Sequence, residues 1–223
     1  MSSLTERYQA VLEDVAAAAR ESGRVPEAIT TIVVTKFHPA ALVRQLAAIG
    51  AHDLGENRHQ EAAAKAAETA ELGLTWHFVG QLQSNKVAAV LEYASVIHSV
   101  DRLSLVDALA RVQKPVEVFL QLNLTSDAKR GGVQEAELVP LAERVLGVPH
   151  LRLRGIMAVA PLDEAPRNAF ARVRAASKRL QAIAPLATDL SMGMSGDYRE
   201  AILEGATHLR IGTAITGNRP PQG

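Results

Sequence analysis

The chain has 223 residues, enough for one large domain or two small ones, with 48% hydrophobic and 22% charged residues, the proportions of a globular protein. Lys and Arg number 24 and so do Asp and Glu, so the basic surplus that nucleic acid or an anionic membrane demands is missing. There is no cysteine, which excludes disulfides, thiolate nucleophiles, iron–sulfur clusters and Cys-ligated zinc.

Leu4, Tyr8, Val11, Leu12 and Val15 recur at helical spacing and predict an amphipathic helix lying on the rest of the fold. The charges of that segment (Glu6, Arg7, Glu13, Asp14, Arg20) leave no apolar block of signal-peptide length. No later stretch approaches the roughly 20 uninterrupted apolar residues of a membrane span. A soluble, cytoplasmic protein is expected.

Short β-branched runs then alternate with Ala- and Leu-rich helical stretches. Strands are predicted at Thr31–Lys36, His52–Asn57, Trp76–Gly80, Val96–Asp101, Val116–Leu124, Arg152–Val159, Asp189–Ser195 and His208–Thr216. Helices are predicted at Pro39–Ile49, Gln60–Leu72, Asn85–Tyr93, Leu103–Val112, Glu135–Leu146, Glu164–Ile183 and Tyr198–Glu204. Val116–Leu124 is the longest predicted strand, and the segment after Gly217 reads as a frayed end. Eight strands with helices between them and one in front predict an α/β fold: a single (β/α)8 TIM-type barrel with an extra N-terminal helix, one domain over 1–223. A doubly wound sheet would carry a glycine-rich turn after its first strand, whereas here that strand runs into Thr35-Lys36-Phe37-His38-Pro39.

Side chains alternate faces along a strand. In Val116–Leu124 the apolar phase (Val116, Val118, Leu120, Leu122, Leu124) should pack on helices, and Glu117, Phe119, Gln121 and Asn123 should face the barrel interior. Functional groups of such barrels sit at the C-terminal strand ends. Those ends carry Lys36, Asn57, Gly80-Gln81, Asp101, Asn123, Met157, Ser195 and Arg210 with Gly212-Thr213. A lysine of lowered pKa is the nucleophile of Schiff-base chemistry, whereas an ordinary one snorkels to solvent. Position alone leaves both open for Lys36. Ser191–Asp197 supplies a small-residue turn, and Arg210-Ile211-Gly212-Thr213 supplies a cation, bare backbone and a hydroxyl. Barrels often bind phosphate with these last two loops. A carbonyl-bearing phosphate ester such as pyridoxal 5′-phosphate would span lysine and phosphate site; relief of crowding is the plain alternative for the glycines.

Seven motifs in order, VVTK (Val33–Lys36), GEN..QE (Gly55–Glu61), WHFVGQLQSNK (Trp76–Lys86), IHSVD (Ile97–Asp101), K.G (Lys129–Gly131), SMGMS (Ser191–Ser195) and RIGTAI.G (Arg210–Gly217), cover nearly the whole chain. In these the chain resembles the pyridoxal-phosphate homeostasis proteins, the YggS/PROSC group of barrels related to the alanine racemase N-terminal domain. The resemblance implies that Lys36 forms the internal aldimine, that Ser195, Gly212 and Thr213 hold the phosphate, and that Arg210 faces the pyridine nitrogen. It implies further that Asn57 lies near the ring, with His77 and Met157 on its walls. A permanent cation beside the ring nitrogen opposes its protonation and weakens the ring as an electron sink.

Seven scattered histidines show no zinc spacing such as H-E-x-x-H, so no metal is expected. Trp76 and Phe78 should pack strand three. Gln81–Lys86 reads as a helix cap at Ser84 or Asn85 or as a rim site, and Arg167–Arg179 as a solvated helix face. The resemblance implies a carrier that holds and buffers or delivers the cofactor, acting as a monomer with apo PLP-dependent enzymes as partners and with no catalytic residues. The alternatives are a PLP-dependent amino-acid racemase and, lower, a cofactor-free lysine aldolase. Related racemases draw a second acid–base group from a separate β domain, for which no residues follow Gly223, and this favours the carrier.

Overall fold

The computed structural model describes residues 2–218. Among them β1 (Thr30–Val34), β2 (Asp53–Glu56), β3 (Thr75–Phe78), β4 (Ala94–Val100), β5 (Val116–Leu122), β6 (Leu151–Ala158), β7 (Asp189–Ser191) and β8 (His208–Ile211) pair in chain order. Every pairing is parallel, and β8 returns to β1 with Thr30 opposite His208 and Val33 opposite Ile211, closing the barrel. The connections are α2 (Ala40–Ala48), α3 (His59–Glu68), α4 (Val87–Val90), α5 (Leu103–Ala110), α6 (Leu138–Leu146), α7 (Pro166–Leu180) and α8 (Tyr198–Leu203). Helix α1 (Leu4–Glu21) precedes the barrel, and the short α9 (Thr213–Thr216) follows β8.

Helix α1 begins where Ser3 and Glu6 form a reciprocal capping box and buries Tyr8, Val11, Val15, Ala18 and Ala19. It packs against α8 and α9, and Arg7 donates to the Ile215 carbonyl at 2.7 Å. Leu12, expected on that stripe, is exposed; the buried line continues through Ala18 and Ala19 instead. No helix among the described residues is long and apolar enough to cross a membrane.

Six predicted strands are shorter than expected, and in three of them, β1, β7 and β8, the early stop moves expected site residues out of the ladder. β1 stops at Val34, so Lys36 lies in the following turn. β7 stops at Ser191 and Gly193 turns with φ 95°. β8 stops at Ile211; the rest of the predicted strand folds as α9, with Thr216 Oγ1 donating back to the Gly212 carbonyl at 3.2 Å. The longest strand is β6, not β5. Helix 60–72 is cut at Glu68 before a 3-10 turn that Gly73 ends at φ 60°. Helix 85–93 opens as the 3-10 turn Ser84–Lys86 and shrinks to α4. The tail beyond Asn218, expected to fray, lies outside the described residues.

The alternation in β5 sorts the core into two. Val118, Leu120 and Leu122 join the apolar layer between sheet and helices, as do Trp76 and Phe78. Phe119 lies inside the barrel with Val96 and Met157, its ring 4.5 Å from that of His98. On the outside, the Arg167–Arg179 face is charge-paired: Arg167 and Arg174 meet Glu204 and Arg172 meets Glu164.

Candidate functional site at the barrel mouth

A cavity of about 470 Å³ opens among the βα loops, lined on the polar side by Lys36, Asn57, Gln81, Ser195, Arg210 and Thr213, with bare backbone at Gly80, Gly196 and Gly212. Six residues expected at the site from sequence thus come together: Lys36, Asn57, Ser195, Arg210, Gly212 and Thr213. His77 and Met157 do not join them. Both are buried in the barrel interior, Met157 against Phe119 and Val96 and His77 hydrogen-bonded to Asp53 and His98. Their strands point these side chains inward below the mouth, and neither is among the residues that line the cavity.

The Lys36 turn is built from several sides. Thr35 is fully buried; its Oγ1 donates to Glu56 Oε1 at 2.7 Å, and Lys65 Nζ donates to both the Thr35 carbonyl (2.8 Å) and Glu56 Oε1 (2.5 Å). Burial pushes the Glu56 carboxyl up against the opposing pull of Lys65 and Thr35. Phe37 holds φ 67°, a conformation that costs a non-glycine residue about 1–3 kcal/mol. Glu61 Oε2 accepts its N–H at 3.0 Å, and the Arg58 guanidinium sits 5.0 Å over its ring. Between these anchors Lys36 is exposed, and among the described residues its ammonium has no hydrogen-bond or ion-pair partner.

Opposite it, the Met194–Asp197 turn is fixed by the Met194 N–H, which donates to Asp197 Oδ1 at 2.6 Å. Ser195 Oγ accepts from the Ala214 N–H at 3.2 Å and so ties the β7 loop to α9. The main-chain N–H groups of Ser195 and Gly196 have no partner among the described residues. A Cβ at Gly212 would meet nothing closer than the Val34 carbonyl at 3.6 Å, so the position borders open space in the cavity. At Gly80 a Cβ would lie 2.3 Å from the Asn57 carbonyl, so glycine is what lets the two loops touch.

Arg210 forms the floor. It is 5% exposed; Nη1 donates to the Ser191 carbonyl (2.7 Å) and Oγ (2.8 Å), and Nη2 to the Ala158 carbonyl (2.9 Å). Burial lowers its pKa to about 10 against the pull of Asp197, which leaves it cationic at neutral pH. Of five guanidinium donors these bonds use three, leaving two for the cavity. Asn57 Oδ1 is buried without a partner. Neither Ser84 nor Asn85 caps a helix; Ser84 Oγ accepts from Arg102, and Gln81 reaches the cavity rim.

The donor set therefore comprises two cations, two hydroxyls and free main-chain N–H groups, with no carboxylate among the lining residues. Such a set fits a phosphate-bearing anion with a carbonyl in reach of a lysine. Sequence reasoning missed Glu56, Glu61 and Lys65, whose signal was only their place beside GEN..QE, and the inward histidine His98.

The fold and cavity define an α/β barrel with a lysine just past the first strand's end and a hydroxyl- and N–H-rich turn across its mouth. Residues 9–220 match the model of the alanine racemase N-terminal domain. The chain is 43% identical to the pyridoxal phosphate homeostasis protein of Pseudomonas aeruginosa over 98% of its own length and 97% of that protein's, and 39% identical to that of Escherichia coli (98% of each). The structure of PipY from Synechococcus elongatus, solved with PLP bound, superimposes with a TM-score of 0.84 at 36% identity, covering 96% of this chain and all of that one. Alanine racemase of Corynebacterium glutamicum shares the fold (TM-score 0.66, 17% identity), with this chain covering 62% of it. The chain belongs to the alanine racemase N-terminal domain family and, within it, to the pyridoxal phosphate homeostasis proteins.

Proposed function

We propose that the chain, acting as one domain over 1–223, binds PLP in the mouth cavity, holds it through Lys36 and buffers or delivers it to apo PLP-dependent enzymes in the cytoplasm, as a monomer. The observation that carries this reading is the lining itself: a partnerless lysine and a buried arginine facing hydroxyls and bare backbone, with no acid between them. The names of the relatives and the PLP in PipY support it. When bound, PLP supplies an aldehyde for amines and a conjugated ring that draws electron density.

Lys36 Nζ is the amine for that aldehyde, on a turn held rigid by Glu56, Glu61 and Lys65. Ser195 and Thr213 offer hydroxyls, and Ser195 and Gly196 main-chain N–H groups, to a phosphate; Asn57 Oδ1 offers an acceptor on the wall. Arg210 is a cation at the floor; it can donate a hydrogen bond from its remaining N–H groups but keeps its proton at neutral pH. Racemisation needs two positioned acid–base groups, one on each face. Apart from Lys36, no His, Tyr, Asp or Glu lines the cavity. Little or no catalysis follows.

The purified protein should be yellow, pass its cofactor to an apo-enzyme and leave amino acids unchanged. Incubating the loaded protein with L- and D-amino acids in deuterated water tests this. Racemisation or α-deuteration at ordinary enzyme rates, about 1–10³ per second, would make it the racemase instead.

A further inference from the structure

Below the cavity a single file of side chains runs through the barrel interior. Arg210 Nη1 donates to Ser191 Oγ at 2.8 Å, Ser191 Oγ lies 2.8 Å from His98 Nδ1, His98 Nε2 lies 3.0 Å from His77 Nδ1, and His77 Nε2 lies 2.9 Å from Asp53 Oδ1. Ser191 and His98 are fully buried and His77 is 3% exposed. Asp53, at the start of β2, is the end of the file that reaches solvent, on the side of the barrel away from the mouth.

With both histidines neutral, the Asp53 carboxylate sets the direction of every bond in this file. Arginine has no acceptor, so Ser191 Oγ accepts from Arg210, and its own hydrogen is left to go to His98 Nδ1. Neutral His98 then carries its proton on Nε2 and donates to His77 Nδ1. His77 in turn carries its proton on Nε2 and donates to the Asp53 carboxylate, which can only accept. The carboxylate end demands this polarity and the arginine end accommodates it. Burial keeps His98 neutral, its pKa well below the usual histidine range, reinforced by His77 from β3, Arg210 and His208 from β8 and Arg154 from β6; Phe119 of β5 covers its ring.

We propose that Asp53, His77, His98 and Ser191 are positioning residues for Arg210: one polarised hydrogen-bond chain, anchored by a carboxylate at the far end of the barrel, that keeps Ser191 Oγ an acceptor and so aims the guanidinium at the cavity. A flipped neutral histidine anywhere in the file would set acceptor against acceptor or donor against donor. Asp53 therefore acts on the mouth without touching it. The proposal rests on the reading of the mouth as a PLP site, but the polarity of the file exists without cofactor.

Two measurements separate the two claims. In the apo-protein, long-range ¹⁵N–¹H spectra of labelled histidine should show His77 and His98 both as Nε2–H tautomers; an Nδ1–H tautomer at His98 overturns the chain whatever the cavity binds. With PLP added, Asp53→Asn should raise the Kd about two- to tenfold, the worth of one hydrogen bond, and shift the pH midpoint of the bound cofactor's visible band, with the melting temperature unchanged. Ser191→Ala should do the same more strongly and Ser191→Thr, which keeps the hydroxyl, less. Asp107→Asn, which removes an exposed partner of Arg144, is the control. If PLP binds the wild type and Asp53→Asn matches the control in both Kd and midpoint, the positioning role is wrong. If PLP fails to bind the wild type, the PLP reading fails, and with it the role of this file in aiming Arg210 at a cofactor.

Discussion

At the N-terminal end of the barrel, Arg154 sits 2.6 Å from both Glu117 and Asp189, Arg152 meets Glu117, and Asp53 holds His77. At the mouth, Lys36 and Arg210 face a cavity with no carboxylate in its lining. Both ends are built from the same eight strands. The difference teaches where the fold uses charge for itself and where it leaves charge for something else: a cation paired within the chain needs no ligand, whereas two without a carboxylate partner, beside hydroxyls and free N–H groups, are what the proposed anion site is made of. The two lysines flanking β2 repeat the contrast. Lys65 is buried and doubly bonded, and Lys36 is exposed and without a bond among the described residues.

The sharpest break of that comparison turns the paired lysine into an apolar residue. Lys65→Met leaves Glu56, fully buried, without its counter-ion and should destabilise the protein by about 3–5 kcal/mol, read as a lower denaturation midpoint in urea. Lys36→Ala should leave that midpoint within error. A large loss of stability at Lys36 would dissolve the distinction.

Next in size is a pH effect from the interior. His208 is pushed down to about 4, chiefly by burial, and His98 is lowered by the same cause. A depressed histidine is neutral in both folded and unfolded chains above about 6.5. Below that the unfolded chain takes up protons that the folded one refuses. Stability should therefore be full above pH 6.5 and fall toward pH 4, by about 3 kcal/mol from His208 alone. Thermal melts across that range measure it, and His208→Asn should flatten the slope.

Smaller again are single contacts at the anion site. Ser195→Ala or Thr213→Val should each weaken PLP by about tenfold or more, the 1.5–3 kcal/mol of a hydroxyl bonded to an anion, and should leave the affinity for pyridoxal, which lacks the phosphate, much closer to wild type. Equal losses for both ligands would move the phosphate elsewhere. The smallest change is at the paired end: Arg152, 74% exposed in its side chain, should cost under about 1 kcal/mol on replacement by Ala and nothing in PLP affinity.

Much of this could be read before any coordinates. The alternation of β-branched and Ala/Leu-rich runs carries the barrel, because strand and helix periods differ, and the C-terminal strand ends carry six of the eight expected cavity residues. The failures share one cause. The resemblance implies His77 and Met157 on the ring's walls, whereas both side chains lie in the barrel interior outside the cavity lining; strand length decides depth, and a sequence run does not show where a ladder stops. β1 ended two residues early for the same reason, and Gly212 broke β8 into strand and helix. The Asp53–His77–His98–Ser191 file was invisible for another reason: it joins four strands, and only closure of the barrel brings their inward side chains into line.

The central claim is that the unpaired lysine at the first strand's end is the one that holds the cofactor. Borohydride reduction of the protein loaded with PLP, followed by digestion and peptide mapping by mass spectrometry, tests it directly. The account predicts a single modified peptide carrying the label on Lys36 and no visible band in Lys36→Ala. A label on Lys65, Lys86 or Lys129 with Lys36 unmodified would contradict it.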